Sequence, residues 1–202
     1  MDVGNPAGDV LAGARGAVLA TLAQLEVAVT VRALARHAGV SPQGALQVIN
    51  DLNRAGLVHL EPAGRSLMVT FNRHHLAAEP LLALLSLRSR LVERLTAELA
   101  GWDGLAGAWL FGSAARGDGD RDSDIDLLLV ATRTVDSEEW SAAATRLVTR
   151  VELWTGNQVQ LVEHTRRSFV DLARTGNSLL AAVRREGIPL TLKSRRLLRN
   201  VA

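Results

Sequence analysis

Residues 111–130 read FGSAARGDGDRDSDIDLLLV and contain the most informative motif of the chain. Gly112 and Ser113 stand near its start, and two aspartates, Asp124 and Asp126, flank an isoleucine where an apolar run begins. Side chains two apart in a strand point to the same face, so the two carboxylates are expected on one side. Mg²⁺ takes one or two carboxylates together with waters and substrate phosphates. The pattern therefore predicts a magnesium site at the start of a strand.

The residues before and after Gly112 favour an anion beside this site. Residues 108–111 are apolar and predict a short buried strand, after which Gly112 and Ser113 turn the chain. A glycine permits close approach of a phosphate, and the amides that open a following helix favour negative charge. Ser113 adds a hydroxyl, and Arg116, one turn later, is either a phosphate ligand or a solvated surface arginine.

The motif G-S-x-A-R-G-D…S-D-I-D-L resembles the nucleotidyltransferase superfamily that includes DNA polymerase beta, particularly its minimal nucleotidyltransferase branch. The resemblance covers residues 101–162. It implies an α/β domain with a small mixed sheet, in which Gly112 and Ser113 hold the triphosphate of an NTP while Asp124 and Asp126 hold Mg²⁺. It also implies transfer of a nucleoside monophosphate to an acceptor hydroxyl. Relatives in this branch can be encoded beside a toxin-like protein, so a protein partner or acceptor is a further expectation.

One position departs from the superfamily pattern. The superfamily places a third carboxylate on a later strand, where it completes the metal site and accepts the proton of the attacking hydroxyl. Here the candidate strand is residues 158–162, and the aligned position is Gln160. Glutamine carries no charge and cannot serve as a general base. Glu163 is nearby, but strand alternation puts it on the opposite face unless the strand ends or bulges. An active enzyme and a catalytically weak or inactive nucleotide sensor both remain open.

The N-terminal third has its own organisation. Residues 10–25 and 31–38 predict helices, and a third helix, 42–55, begins after Ser41, a good N-cap, with proline in its first turn. Strand, turn and strand follow over 57–60, 61–65 and 66–71. The third helix shows a buried apolar stripe, and its other face carries the polar residues Gln43, Gln47, Asn50 and Arg54.

This order resembles the winged helix-turn-helix domains of the bacterial ArsR and MarR type over residues 10–75. The resemblance implies that the polar helix face reads base edges in the major groove of double-stranded DNA, while Arg65 at the wing tip contacts backbone phosphate. Residues 1–75 hold six arginines against five acids, a weak electrostatic footprint for a DNA binder. Sequence-specific DNA binding with transcription regulation, and a role in dimerisation or protein interaction, are therefore both open.

The remaining segments predict a connecting helix and a C-terminal end. A leucine-rich stretch from Pro80 to Ala100 predicts one long helix that packs the domains together or dimerises them. Helices are expected over 138–155, 168–173 and 178–186. Beyond them lies a basic end, either a binding surface for nucleic acid or an acidic partner or a partly frayed tail; its residues are Arg184, Arg185, Lys193, Arg195, Arg196 and Arg199.

Length and composition set the outer limits. The 202 residues suit two small domains, and the absence of cysteine excludes disulfides and thiolate metal sites. No apolar stretch reaches some eighteen residues, and residues 1–10 lack a signal core, so a cytoplasmic protein without a membrane segment is expected. The predicted class is α+β: a winged helix-turn-helix over 1–75, a linker helix over 76–100 and a nucleotidyltransferase-like domain over 101–202.

Overall fold

The computed structural model describes Asp2 and residues 10–200. Met1 and residues 3–9, on which part of the signal-segment expectation rests, and residues 201–202 lie outside the described residues. Contacts divide the described chain into two compact units, residues 10–87 and residues 88–200 with Asp2. No helix within the described residues is both long enough and apolar enough to cross a membrane.

The first unit combines four helices with a three-stranded antiparallel sheet of order β1-β3-β2. Its elements are α1 Ala14–Gln24, β1 Val29–Thr30, α2 Val31–His37, α3 Pro42–Arg54, β2 Val58–Ala63, β3 Ser66–Phe71 and α4 Ala78–Leu85. The hairpin between β2 and β3 is tighter than the predicted five-residue turn. Ala63 pairs with Ser66, which leaves a loop of Gly64 and Arg65, and Gly64 supplies the positive φ that this turn requires.

Helix α3 forms as its sequence predicts. The Ser41 hydroxyl accepts a hydrogen bond from the Gly44 amide at 3.0 Å, and Pro42 occupies the first turn. The helix buries its apolar stripe in a core shared with the other helices and the sheet. That stripe consists of Ala45, Val48, Ile49 and Leu52.

The leucine-rich stretch differs from the expected single helix. It forms two helices, α4 and α5 Leu87–Leu99, with an interruption at Ser86. The Ser86 hydroxyl donates to the Ala83 carbonyl oxygen at 3.1 Å, and such a bond offers the backbone an alternative to continued helix. The two helices belong to different compact units.

The second unit is a mixed four-stranded sheet with helices on both faces. Its remaining elements are β4 Leu105–Phe111, α6 Gly112–Arg116, β5 Ile125–Ala131, α7 Glu138–Thr155, β6 Val159–Thr165, α8 Arg166–Arg174, α9 Ser178–Glu186, β7 Ile188–Pro189 and α10 Leu192–Arg199. The strand order is β6-β5-β4-β7, in which β5 and β6 are parallel and the other pairs antiparallel. The expected small mixed sheet is therefore present.

Strand β5 is buried on both faces and anchors two cores. Leu127 and Leu129 pack with helices α5 and α7 on one side, and Leu128 and Val130 pack with Trp109 and helices α8 to α10 on the other. A strand covered on both faces is a near-continuous apolar run, as residues 127–131 are. Asp124 and Asp126, the paired aspartates of the sequence motif, stand just before this run begins.

The described part of the C-terminal end is a packed helix from Leu192 to Arg199 rather than a partly frayed tail. Helix α10 buries Ser194 and Leu197 while Arg195, Arg196 and Arg199 stay exposed. The Ser194 hydroxyl accepts from the Ala108 amide and donates to the Ala108 carbonyl oxygen, both at 2.8 Å. Ser194 and Leu197 are the buried residues of this helix, so its sequence shows no broad apolar stripe.

Candidate functional site

Gly112 and Asp126 lie in contact at one end of the sheet. Phe111, the last residue of β4, is paired with Asp126 on β5, so the next residue turns directly over that carboxylate. Gly112 has φ +69°, and a Cβ there would lie 2.0 Å from Asp126 Oδ2. Only glycine fits this place, because any side chain would collide with the carboxylate as well as strain the backbone.

Ser113 follows in the short helix α6, and a loop returns over it. A Cβ on Gly119 would lie 2.8 Å from Ser113 Oγ, so the chain passes close to this hydroxyl. Ser113 is half-buried, and its hydroxyl has no hydrogen-bond partner among residues 10–200. Arg88 holds the other end of α6 by donating through Nε to the Ala114 carbonyl oxygen at 3.0 Å and through Nη2 to that of Ala115.

The two aspartates differ in environment. Asp124 is exposed, whereas Asp126 is half-buried at the start of β5. Burial raises the pKa of the Asp126 carboxyl, and the negative charge of Asp124 raises it further, while the Arg116 guanidinium opposes both. The two carboxylates therefore lie near enough to repel each other, which is the arrangement that a divalent cation relieves.

Asn157 fixes the approach to this pair. It is 5% exposed, and its Nδ2 donates to the carbonyl oxygens of Ser123 at 2.8 Å and Arg121 at 3.3 Å. The Ile125 amide donates to the Gln158 carbonyl oxygen at 2.8 Å, which begins the pairing of β5 with β6. The loop that delivers Asp124 is thus tied to the turn after α7.

Arg116 is held by two carboxylates. Its Nε donates to Asp118 at 2.9 Å and its Nη1 donates to Glu186 at 2.8 Å. Glu186 ends α9, seventy residues along the chain from Arg116. No sequence motif marks Glu186, Asn157 or Arg88, because only the tertiary fold brings them to the site.

Gln160 lies beside Asp126 on the neighbouring strand. The parallel register of β5 and β6 pairs these two residues and pairs Glu163 with Leu129. Glu163 accepts a hydrogen bond from Trp140 Nε1, on the α7 side of the sheet, and so lies on the face opposite Gln160. No group of three histidine, aspartate or glutamate side chains that could hold a metal occurs within residues 10–200. Two carboxylates, such as those of Asp124 and Asp126, are a set that Mg²⁺ can take together with waters and phosphate oxygens.

A cavity of about 670 Å³ lies elsewhere in the second unit. Its lining includes Trp102, Trp140 and Thr132, the residue that follows the far end of β5 from Asp126. Mixed charges line it, and none of the motif residues does. The motif, rather than the volume of a cavity, identifies the candidate site.

The residues predicted to contact DNA belong to the first unit. Gln43, Gln47, Asn50 and Arg54 are all exposed along α3, and Arg65 is exposed in the hairpin loop. Arg54 donates to Asp51, which also accepts from Arg15 at 3.1 Å. The three amides make no hydrogen bond to any described residue.

The family match among known proteins falls within the second unit. Residues 93–195, just over half of the chain, match the family described as Polymerase beta, Nucleotidyltransferase. No curated protein matches the sequence. Two solved structures match over 55% of this chain and 82% of theirs, each with a TM-score of 0.37: a mutant of the toxin-antitoxin MntA-HpeT at 20% identity and a toxin-antitoxin with AMP-PNP at 22%. Likeness at that level carries no functional argument, and it is the family match over residues 93–195 that shows that the chain belongs to the polymerase beta nucleotidyltransferase family.

Proposed function

We propose that the second unit transfers a nucleoside monophosphate from an NTP to an acceptor hydroxyl, with Mg²⁺ held by Asp124 and Asp126. The observation that carries this proposal is the contact of Gly112 with Asp126, where a Cβ would lie 2.0 Å from Oδ2. Such an approach brings the turn that would receive phosphates against a carboxylate that would hold the metal.

Each group at this end of the sheet has a part in nucleotide binding. The Gly112–Ser113 turn offers backbone amides and an unpartnered hydroxyl to the phosphates. The Arg116 guanidinium supplies positive charge on the same side. When bound at the aspartates, Mg²⁺ neutralises phosphate charge and orients the triphosphate. Catalysis by this chain is then largely positioning of the nucleotide.

A second candidate function follows from Gln160. A neutral amide stands beside Asp126, and Glu163 is turned to the other face. Neither of these two residues of β6 therefore offers a carboxylate beside Asp126 to take the proton of the attacking hydroxyl. A catalytically weak or inactive domain that binds nucleotide and regulates transcription through the first unit is the alternative proposal.

The first unit is proposed to be a winged helix-turn-helix that binds double-stranded DNA. Support comes from the order of helices α1 to α3, the antiparallel hairpin with Arg65 at its tip, and the exposed amides of α3. Its near balance of six arginines and five acids over residues 1–75 supports the alternative, a dimerisation or protein-binding module. We also propose that the protein is cytoplasmic, that it can form a homodimer, and that it acts with a protein partner or acceptor.

Transfer is tested by incubating the full chain with each NTP labelled at the α-phosphate, with Mg²⁺ and with candidate acceptors, including the product of the adjacent gene. Label on an acceptor, lost in Asp124→Asn and Asp126→Asn, supports the enzyme. The matched control is Asp103→Asn. Asp103 is exposed and lies just before the first residue of β4, whereas Gly112 follows the last residue of that strand. Nucleotide binding without transfer favours the sensor, and no binding of any NTP contradicts both.

A further inference from the structure

Glu186 is a nearly buried carboxylate at the site. Its side chain is only 7% exposed, and a charge so buried requires charged partners. It has two: Arg116 Nη1 donates to Oε1 at 2.8 Å, and Arg185 donates to Oε2 through Nε at 3.1 Å and Nη2 at 2.9 Å. Both carboxylate oxygens are therefore occupied by guanidinium groups, and the side chain is fixed in place.

The fold delivers Glu186 to the same end of the sheet as Asp126. Ile188 on β7 pairs with Leu110 on β4, one residue before the Phe111 that pairs with Asp126. A Cβ on Gly187 would lie 2.4 Å from the Val183 carbonyl oxygen, so glycine lets α9 end and β7 begin within one residue. Glu186, the last residue of α9, stands at that junction.

Glu186 and Asp118 hold the Arg116 guanidinium at two of its three nitrogens. The partners differ, because Asp118 is 60% exposed and Glu186 is 7% exposed. Exposed ion pairs are weakened by solvent and salt, so the buried carboxylate is the firmer hold. Arg116 Nη2 makes no hydrogen bond to residues 10–200. A planar guanidinium can bind carboxylates along one edge and phosphate along another.

We infer that Glu186 is a positioning residue, which holds Arg116 so that Nη2 is presented to the phosphates of the nucleotide. The inference rests on the proposed function, because it supposes phosphates beside Gly112 and Ser113. It makes one demand that a general structural role does not. Since Glu186 acts through Arg116, removal of its charge weakens phosphate binding only while Arg116 is present.

The test is a double-mutant cycle on the full chain, read by calorimetric titration with Mg·ATP and with Mg·tripolyphosphate. Glu186→Gln is expected to weaken both ligands roughly three- to tenfold, and Arg116→Ala at least as much. The double variant is expected to bind no more weakly than Arg116→Ala. Arg116→Lys keeps a charge without the fork and is a second variant that leaves Glu186 untouched. Glu98→Gln is the control, because Glu98 pairs with Arg150 away from the motif.

Three results overturn the inference. They are unchanged binding by Glu186→Gln, an equal loss with and without Arg116, and tighter binding by Glu186→Gln, which would show that Glu186 competes with phosphate for Arg116. If the wild type binds neither ligand, the proposed function fails and this inference fails with it. If the wild type binds both and only the cycle is additive, the proposed function stands alone.

Discussion

The two compact units present candidate sites that are built in different ways. In the second unit, Gly112 lies against Asp126, and Arg116 forms an ion pair with Glu186. These contacts fix the positions of the Asp126 and Arg116 side chains. In the first unit, Gln43, Gln47 and Asn50 stand exposed along α3 without a described hydrogen bond. Substitutions in the second unit can therefore be tested by their effect on packing and stability. The exposed face of α3 in the first unit can be tested only by adding a ligand.

The largest effect is expected at Gly112. Gly112→Ala forces a Cβ into Asp126 and a side chain into positive φ, which together should destabilise the fold by roughly 2–5 kcal/mol and abolish nucleotide binding. Gly156→Ala is the matched control, because Gly156 has φ +72° and nothing within 4 Å of its Cβ. It should lose only about 1–2 kcal/mol and keep its binding. Denaturant unfolding and titration with Mg·ATP measure both; equal losses in the two variants would deny the Asp126 contact any importance.

The next effect concerns the polar face of α3. Replacement of Gln43, Gln47 and Asn50 by alanine should reduce the preference among duplex sequences by roughly 1–3 kcal/mol for each lost base contact. The remaining DNA binding should be non-specific and sensitive to salt. Arg65→Ala should weaken all sequences alike, because a phosphate contact carries no sequence information. Gel shifts at low salt with the upstream region of the chain's own gene provide the measurement. A wild type without any sequence preference would remove the operator-binding proposal.

Substitution of Gln160 distinguishes an active transferase from a catalytically weak or inactive nucleotide-binding domain in the second unit. Gln160→Asp places a carboxylate beside Asp126, and should tighten Mg²⁺ binding and raise any transfer rate because it adds a charged ligand and a proton acceptor. The effect should reach roughly tenfold, about 1.4 kcal/mol. Gln24→Asp, which adds the same charge at the exposed end of α1 in the first unit, is the control. A brisk wild-type enzyme that Gln160→Asp slows would show that the acid belongs elsewhere.

The smallest effect is a gain in stability. Burial raises the pKa of Asp126, so the ionised carboxylate costs the folded state stability above that pKa, and the cost disappears as pH falls through it. Asp126→Asn should therefore raise Tm slightly at pH 7 in metal-free buffer, and the difference should shrink as the pH falls toward about 4, the ordinary pKa of an aspartate. Thermal unfolding across this range checks it. A lower Tm for Asp126→Asn at pH 7 would mean that the ionised form is stabilised.

Sequence patterns predicted what depends on near neighbours. The Ser41 cap, the apolar stripe of α3 and the extents of α7 and α9 all follow from short-range chemistry. The interruption at Ser86 and the helix α10 were missed, because the hydroxyl hydrogen bonds of Ser86 and Ser194 at these places leave no apolar pattern in the sequence. The parts played by Arg88, Asn157 and Glu186 were missed because each contacts the motif from a distant segment, and a spacing rule cannot register such contacts.

Magnesium-dependent nucleotide binding by the Asp124→Ala, Asp126→Ala double variant decides most directly whether these carboxylates hold the metal. Titration of the wild type with ATP should show affinity that rises at least about tenfold when Mg²⁺ is added. The double variant should lose that increase and keep its circular dichroism spectrum, because metal ligation rather than packing requires both carboxylates. The same affinity and the same dependence on Mg²⁺ in wild type and double variant would contradict the assignment.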